Sequence, residues 1–345
     1  MIPLTTIQAA NATLSTSLPS PVCVFVGGTT GIGFYTLKKL AAATVSPKVY
    51  YIGRTPSNAE IVQKELQKIN PKGTYKFLKC DVLLTQSVDE CCHEILKQEK
   101  EINILWLSAG VLRSGMPDTA EGIEFMAAIS YYGQIKFIPN LLPLLKASAA
   151  NGHHARVIRI LAGGREKALD PNNLDMRDMG LIPSRVAHTT ITTVAFDYLA
   201  KENPDVSFIH AFAGFVKTEG QNFPGVMSMV IRTAMYVAGW LFLVPEEESG
   251  ERNLFYSTSD IYPPGLTGPA EAQKREEKGV EGEDIAVGLD GIKGSGCYTL
   301  NWDGEAKSGN PILLGYREDG FREKVWEHTL EVWKKAEEAH QRVEL

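Results

Sequence analysis

The amino-acid sequence predicts an α/β protein with a doubly wound parallel sheet of about seven strands and helices on both faces. Two observations predict this fold class. Over the first two thirds of the 345 residues, short apolar runs alternate with segments of helical periodicity, which is the pattern of repeated strand–helix–strand units. Several of these runs are continuously apolar, as expected for strands of a parallel sheet that is covered on both faces.

The strands are predicted at the apolar runs, and right-handed connections between them give one sheet. These runs are Val22–Gly27, Lys48–Gly53, Thr74–Cys80, Ile102–Ser108, Arg156–Leu161 and Val206–Ala211, with Gly296–Leu300 as a candidate final strand. The helices are predicted at about Ile32–Ala43, Ala59–Ile69, Val88–Glu99, Gly122–Ala149, Arg185–Lys201 and Asp319–Val343. Pro139 and Pro143 predict a bend in the fourth helix.

The length allows one large domain or two average ones. The motifs described below extend from Gly27 to Thr218 across a single predicted sheet, which favours one domain over residues 21–345 after an N-terminal extension over residues 1–20. We expect a lid at about residues 220–260 and a C-terminal extension at about residues 300–345.

Composition and charge exclude several classes of function. Hydrophobic residues make up 44% and charged residues 22% of the chain, and the net charge of −6 is acidic. A dedicated nucleic-acid binder usually carries a basic face instead. The five cysteines show no CxxC spacing and the seven histidines no ligand spacing, which predicts neither a disulfide framework nor a metal site. The N-terminus lacks the pattern of a secretory signal, so we expect a cytoplasmic protein with a small-molecule substrate.

A strongly apolar segment, Phe223–Val244, follows the sixth predicted strand. Its length alone allows a membrane span. Arg232 lies near its middle, where a charge is costly in a bilayer. We therefore favour a lid over an apolar substrate pocket and regard a membrane span as the lesser alternative.

The most specific motif is the glycine-rich segment Val26–Gly33, with the sequence VGGTTGIG. It follows the first strand and opens the first helix. Such a turn needs glycines so that the backbone can turn tightly, approach a pyrophosphate and pack helix against strand. The free N–H groups at the start of the helix then bind phosphate. The segment predicts a dinucleotide site that includes Gly27, Thr29, Thr30, Gly31, Ile32 and Gly33.

The residue that follows the second strand favours NADP over NAD. An NAD site usually has an acidic residue there for the ribose hydroxyls, whereas an arginine suits the 2′-phosphate of NADP. The chain has Arg54 at this point and no acid in Tyr50–Thr55. A solvated surface arginine is the alternative interpretation.

Together these residues resemble the short-chain dehydrogenase/reductase superfamily over roughly residues 20–220. The pattern Gly27-x-x-x-Gly31-x-Gly33 matches its glycine motif. Further segments match in order, each after a strand: Asp81-Val82, Ser108-Ala109-Gly110 and Ala213–Thr218. Ser108 stands where the superfamily has Asn, and Ala213 where it has Pro. The overall pattern is similar to a fungal branch found in secondary-metabolite pathways.

The resemblance implies a Rossmann fold that binds NADP(H) and acts as an oxidoreductase. Asp81 and Val82 would border the adenine ring. Val216 and Thr218 would contact the nicotinamide carboxamide. Because the segment at Phe223–Val244 supplies apolar side chains, we expect the substrate to be an apolar carbonyl or hydroxyl compound.

The catalytic residues of the superfamily are missing. Its reductases use a Tyr-x-x-x-Lys pair, a Ser after the fifth strand and an Asn in the fourth helix. Counting back from Leu199–Glu202 puts Arg185 at the Tyr position and Thr189 at the Lys position. The Ser position falls near Ala162 and the Asn position at Ser130. A shift of one residue gives Ser184 and His188, which also form no Tyr–Lys pair.

Three functions remain open for such a chain. Hydride transfer persists with another acid, for which His188, Tyr131 and Tyr132 are candidates, while Arg185 binds an oxyanion. Alternatively, the fold serves a redox-inactive cyclase or isomerase, or a non-catalytic NADP-binding protein. Members of the superfamily often pair through the long fourth and fifth helices, so a homodimer through Tyr131–Phe137 is a further expectation, with ordinary core packing as its alternative.

Overall fold

The structure is a computed structural model, and it describes residues 1–111, 113, 115–216, 243–265 and 285–343. The strands are β1 Val22–Val26, β2 Lys48–Gly53, β3 Thr74–Lys79, β4 Ile104–Leu107, β5 Arg156–Ile160, β6 Ser207–Ala211, β7 Phe215–Val216, β8 Leu243–Val244, β9 Cys297–Leu300 and β10 Ala306–Lys307. The helices before β5 are α1 Leu4–Ala12, α2 Leu14–Ser17, α3 Gly31–Ala43, α4 Pro56–Ile69, α5 Thr85–Leu96, α6 Phe125–Ala127, the π-helical turn Ala128–Tyr132 and α7 Gly133–Ala150. Those after β5 are α8 Leu181–Glu202, α9 Glu246–Thr258, α10 Pro311–Glu318 and α11 Phe321–Val343.

The main sheet has eight strands in the order β10-β9-β6-β5-β4-β1-β2-β3. Seven of them are parallel, and only the edge strand β10 runs antiparallel to its neighbour β9. The predicted doubly wound α/β fold is therefore confirmed. The strand order reverses between β1 and β4, which is where open α/β sheets leave a crevice for ligands.

The alternation of side chains along the strands divides the core into two layers. Val24 and Val26 of β1 pack in one hydrophobic cluster with residues of α5, α7 and α8. Cys23 and Phe25 pack in the other with residues of α3, α4 and α9. Both faces of the sheet are thus covered, which explains why the strands carry continuous apolar runs.

Further segments outside the strand–helix repeat pack on this sheet. The N-terminal extension forms α1, which packs on α9 and buries Ile7 completely. Residues 220–242 of the expected lid lie outside the described residues, and so does most of Phe223–Val244. The later part of the expected lid is α9, which packs against α3 and buries Leu254 and Tyr256. That part belongs to the core.

The long fourth helix is interrupted near its start. It begins with the short α6, widens into a π-helical turn over Ala128–Tyr132 and continues as α7. Such turns often occur at functional sites. Among the helices that the structure describes, none combines the length and apolar character of a membrane span.

Candidate functional site

The glycine-rich turn leaves β1 at the carboxyl edge of the sheet and leads into α3. Gly27 has φ +93° and Gly31 φ +58°, conformations that favour glycine. A Cβ at Gly27 would lie 2.5 Å from the Ala109 nitrogen, and one at Gly33 would lie 2.3 Å from the Gly27 oxygen. Backbone already fills the space of these missing side chains, so the turn needs glycine at both positions.

The turn presents the start of α3 in the way a bound phosphate requires. Thr30 precedes the helix and is exposed, and its side chain makes no capping hydrogen bond. Thr29 is partly exposed and lies against Gly53 at the end of β2. The first N–H groups of a helix have no partner within the helix, so this uncapped end fits the phosphates of a dinucleotide.

Arg54, Asp81 and Val82 follow β2 and β3 at the same edge. Arg54 is exposed and forms no hydrogen bond or ion pair with the described residues. The Asp81 N–H donates to Ser87 Oγ over 3.1 Å, and its carboxylate accepts from the Leu83 N–H over 3.2 Å. Val82 is buried. Arg54 thus remains available for an anionic ligand, while the segment after β3 has a defined conformation.

The Ser108-Ala109-Gly110 segment holds the end of β4 against the glycine-rich turn. The Ala109 N–H donates to the Val26 oxygen over 3.0 Å, and Ser108 Oγ accepts from Trp106 Nε1 over 2.9 Å. The Ala109 oxygen accepts from Gln134 Nε2 over 2.9 Å. Val216 is buried in β7, whereas Thr218 lies outside the described residues. The structure therefore brings the described cofactor candidates to one edge of the sheet.

Arg185 and His188 lie in the first turns of α8. Arg185 is exposed and makes no hydrogen bond or ion pair with its side chain to any described residue. His188 is fully buried. Its Nδ1 lies 3.4 Å from Ser184 Oγ, and its Nε2 has no hydrogen-bond partner. Burial, and to a smaller extent the charges of Arg159 and Arg185, lower the pKa of His188 to about 3, so the imidazole is neutral at pH 7.

Arg159, a fully buried cation near the end of β5, was not predicted from the sequence. Its Nη2 donates to the Ser130 oxygen over 2.8 Å and its Nη1 to the Leu107 oxygen over 3.2 Å. Arg159 forms no ion pair with the residues the structure describes, and its Nε has no partner. Burial lowers its pKa to about 9, so it keeps its charge at neutral pH. An arginine within the apolar run RVIRIL was the available signal.

Arg159 connects the π-helical turn with the cofactor edge. Ser130, which occupies the Asn position of the superfamily, lies in this turn and is buried. One turn later, Gln134 has its oxygen 3.5 Å from Arg159 Nη1 and donates from Nε2 to Ala109. A positive charge therefore lies directly behind the segments that follow β4 and open α7.

Tyr131 and Tyr132 are directed away from these basic groups. The Tyr131 hydroxyl lies 2.8 Å from Thr329 Oγ1 in α11, and burial raises the pKa of Tyr131. The Tyr132 hydroxyl lies 3.0 Å from His328 Nε2, also in α11. The structure thus places Arg185 and His188 near Arg159 and places Tyr131 at a different contact.

A second polar network, which was also not predicted from the sequence, lies after β5, where the superfamily has its catalytic serine. The Ala162 N–H donates to His210 Nε2 over 3.4 Å, so His210 carries its proton on Nδ1 and donates to Thr193 Oγ1 over 2.7 Å. Thr193 in turn donates to Glu166 Oε1 over 2.7 Å. This chain fixes the loop without giving it a hydroxyl for a substrate. No group of three or more metal-ligating side chains is found among the described residues.

Comparison with known proteins gives matches over most of the chain. Residues 21–166 match the short chain dehydrogenase family. Oxidoreductase AN1596 of Emericella nidulans is 38% identical, covering 95% of this chain and 97% of its own length. Oxidoreductase andH of Emericella variicolor is 34% identical over 95% of each chain. Short-chain dehydrogenase/reductase SAT2 of Stachybotrys chartarum is 29% identical over 95% of each chain.

Solved structures of low sequence identity share the fold. A short chain dehydrogenase from Burkholderia cenocepacia in complex with NADP has a TM-score of 0.52 at 15% identity, covering 71% of this chain and 93% of its own. Pseudomonas aeruginosa RhlG with NADP has a TM-score of 0.54 at 18% identity, covering 72% and 93%. Given the relatives that match along its length, the chain belongs to the short-chain dehydrogenase/reductase superfamily and is similar to its fungal oxidoreductases.

Proposed function

We propose that the protein is an NADP(H)-dependent oxidoreductase that acts on an apolar carbonyl or hydroxyl compound without the Tyr–Lys pair. The observation that carries the proposal is the glycine-rich turn, in which backbone occupies the Cβ positions of Gly27 and Gly33 beside an uncapped helix start. The fungal origin of the relatives supports a substrate from secondary metabolism.

The chain's own residues suit NADP(H). The turn from Gly27 to Gly33 would hold the pyrophosphate at the start of α3. Arg54, exposed and unpaired among the described residues, would bind the 2′-phosphate through charge-assisted hydrogen bonds. Ser108, Ala109 and Gly110 would border the nucleotide after β4. Solved structures that share the fold include complexes with NADP and one with NADH, so the preference for NADP rests on Arg54.

Arg185 of α8 and Arg159 of β5 would stabilise the negative charge that develops on the substrate oxygen. When bound, NADPH supplies a hydride to the carbonyl carbon of the substrate. Arg185 donates hydrogen bonds to the substrate oxygen as its negative charge develops. Arg159 adds a fixed positive charge from behind. Since Arg185 is exposed, the oxygen takes its final proton from water.

His188 would act as a positioning residue for Arg185. An imidazole with a pKa of about 3 is not protonated at neutral pH, so it does not serve as the acid. His188 is buried on the inner side of α8 beside Ser184, where it would support the helical turn that carries Arg185. The Tyr131 hydroxyl, bonded to α11, is given no part in the proton transfer.

The second candidate function is redox-inactive, either as a cyclase or isomerase or as an NADP-binding protein. It is favoured by the residues at the four usual catalytic positions, which are Ala162, Arg185, Thr189 and Ser130. None of them is a good proton donor at neutral pH.

NADPH oxidation against a panel of apolar carbonyl compounds tests the proposal. We compare the parent with Arg185→Ala, Arg185→Lys and, as a matched control, Lys64→Ala, which removes an exposed cation of α4. Loss of an oxyanion donor lowers kcat by about 10²- to 10³-fold, so we expect a loss of this order for Arg185→Ala and parent turnover for Lys64→Ala. Unchanged turnover in Arg185→Ala would remove Arg185 from the mechanism. Tight NADPH binding without oxidation in the parent would favour the redox-inactive alternative.

A further inference from the structure

Three basic side chains, which we call the basic cluster, lie where the end of β5 meets the start of α8. Arg159 and His188 are buried, whereas Arg185 is exposed. Burial is the main reason why the pKa values of Arg159 and His188 are low, and the nearby charge of Arg185 lowers both further. None of the three forms an ion pair with a residue that the structure describes. The cluster therefore concentrates positive charge without an anion.

The other buried arginine of β5 shows how a structural cation is accommodated in the same strand. Arg156 donates from Nη1 to the Tyr256 oxygen over 2.9 Å and from Nη2 to the Tyr262 oxygen over 2.6 Å. Burial lowers its pKa, and the carboxylate of Asp260 acts in the opposite direction. No described carboxylate has this effect on Arg159. Both arginines leave Nε without a partner, so they differ in the compensation of their charge.

The basic cluster also contains unused hydrogen-bonding atoms. Arg159 Nε and His188 Nε2 are buried and have no partner, and the Arg185 guanidinium makes no hydrogen bond to a described residue. His210, equally buried, has partners at both ring nitrogens. Buried polar atoms are nearly always hydrogen-bonded, so the exceptions call for an explanation such as a bound ion. Guanidinium groups in this state suit the oxygens of an anion.

We propose that the basic cluster binds a carboxylate of the substrate, which is then an apolar oxo acid with its carboxylate next to the reacting carbonyl. The inference rests on the proposed hydride transfer, in which Arg185 donates to the carbonyl oxygen. A guanidinium carries five N–H groups in a planar fork that matches paired oxygens. Arg185 thus holds a carboxylate oxygen and the adjacent carbonyl oxygen together.

The carboxylate balances the charge of the two arginines. Like charges that lie close together repel each other, and the repulsion is screened least where a group is buried. Arg159 is buried and acts on the bound anion with little screening, while Arg185 is exposed and accessible to an incoming substrate. A neutral carbonyl compound leaves the charge unbalanced. The site is therefore expected to prefer an oxo acid to the corresponding ester.

Binding without turnover is the first test. The protein is loaded with NADP⁺, which has no hydride to donate, and is titrated by calorimetry with benzoylformate and with methyl benzoylformate. The two compounds share the aromatic ring and the keto group and differ in charge. We expect the acid to bind about 10- to 100-fold more tightly, as for a hydrogen bond to a charged group. Equal binding, tighter binding of the ester or no measurable binding of the acid would overturn the proposal.

Substitutions in the basic cluster are the second test. Arg185→Gln keeps hydrogen-bonding groups but removes the charge, and we expect the preference for the acid to fall about tenfold or more. Arg159→Gln removes the buried charge and should reduce the preference too, with circular dichroism to show that this variant is folded. Lys64→Gln removes an exposed cation of α4 and should keep the preference of the parent. If the preference survives in Arg185→Gln, the carboxylate does not bind the basic cluster. If Arg159→Gln does not fold, the result for Arg185→Gln decides.

Oxidation of NADPH with the same two compounds separates this inference from the proposed function. Reduction of the ester without any preference for the acid would leave the oxidoreductase standing and contradict the carboxylate site. A preference for the acid that depends on Arg185, without oxidation of NADPH, would confirm the carboxylate site and contradict the proposed hydride transfer.

Discussion

Arg159 and His188 form an unusual pair of buried polar residues. Arg159 carries its charge without a carboxylate partner among the described residues, and His188 leaves one ring nitrogen unbonded. Buried groups of this kind cost stability unless they are compensated. Burial lowers the pKa values of both, and both lie close enough to Arg185 for its charge to lower them further, so they contribute to the electrostatics of the proposed oxyanion site.

The neutral state of His188 predicts how stability depends on pH. Its pKa is depressed to about 3 in the folded protein, from an ordinary value of 6.5. Between these values the unfolded chain binds a proton that the folded protein does not, so stability falls as pH falls below about 6.5. His210, whose pKa burial also lowers to about 3, acts in the same direction.

His188→Gln should therefore reduce the acid sensitivity. One such histidine contributes about 1.4 kcal/mol per pH unit where only its unfolded form is protonated. Urea unfolding of the parent and the variant at several pH values between 7 and 5 measures this slope. His153→Gln, at a half-exposed position beside Glu101, is the control. Equal slopes for His188→Gln and the parent would show that His188 is already charged in the folded protein.

Arg54 is expected to determine the preference of the site for NADPH over NADH. Arg54→Asp removes a charge-assisted contact with the 2′-phosphate and puts a carboxylate near it. We expect NADPH binding to weaken by about 1.5–3 kcal/mol, while NADH binding is maintained or improved. Fluorescence titration with both nucleotides measures the ratio. Unchanged NADPH affinity would make Arg54 a surface residue without a role in binding.

At the scale of elements, Asp197 connects α8 to the C-terminal helices. It is buried and accepts from Arg317 Nε of α10 over 2.8 Å and from Arg322 Nη1 of α11 over 3.2 Å. Arg317 also pairs with Asp290 over 3.0 Å. Helices α10 and α11 are therefore held against α8 by a network of ion pairs and by the stacking of Trp326 on Tyr198.

Removing this carboxylate should destabilise the fold strongly. Asp197→Ala leaves two guanidinium groups short of a partner, and breaking a buried pair in this way costs about 3–5 kcal/mol. Glu305→Ala breaks the exposed pair with Lys307 and should cost less than about 1 kcal/mol. Denaturant unfolding compares both variants with the parent. Similar small losses in the two variants would mean that the Asp197 network adds little to stability.

The sequence predicted the repeated elements well because hydrophobic periodicity determines them. The boundaries of β2 match, and those of β1, β3 and β5 differ by one residue. Helix α8 begins at Leu181, four residues before its predicted start. The start was misplaced because Gly180, which precedes the helix, has no side chain to cap it and so gives no signal in the sequence. Helix α9 was missed because many of its buried residues are polar, such as Ser249, Arg252 and Asn253, so they form no apolar stripe of helical period.

The candidate site was predictable only where local backbone chemistry determines it. Glycines at a strand–helix junction can be recognised from sequence, as Gly27 and Gly33 illustrate. The buried environment of Arg159 and the network of Glu166, Thr193 and His210 depend on contacts between distant segments. An arginine in an apolar run signals that a buried cation is present, but a single residue does not show which distant segments it contacts.

At the scale of the whole molecule, the described parts of the chain are built around one sheet. Of the described strands, only β7 and β8 lie outside it. The N-terminal helix α1 closes on this body through Asn11, whose Nδ2 donates to the Glu251 backbone oxygen over 2.9 Å. Helix α11 packs against α5 and α8, which belong to the helical layer on the opposite face of the sheet. The residues beyond an average dinucleotide-binding domain thus cover both layers of the sheet.

The protein is proposed to transfer hydride without the Tyr–Lys pair. Incubation of the parent with C4-deuterated NADPH and the carbonyl panel, followed by mass spectrometry of the products, tests it most directly. We predict an alcohol that carries one deuterium from the cofactor and that forms much more slowly with Arg185→Ala. A product that retains the mass of its substrate, or bound NADPH that remains unoxidised with every carbonyl compound, would contradict the claim.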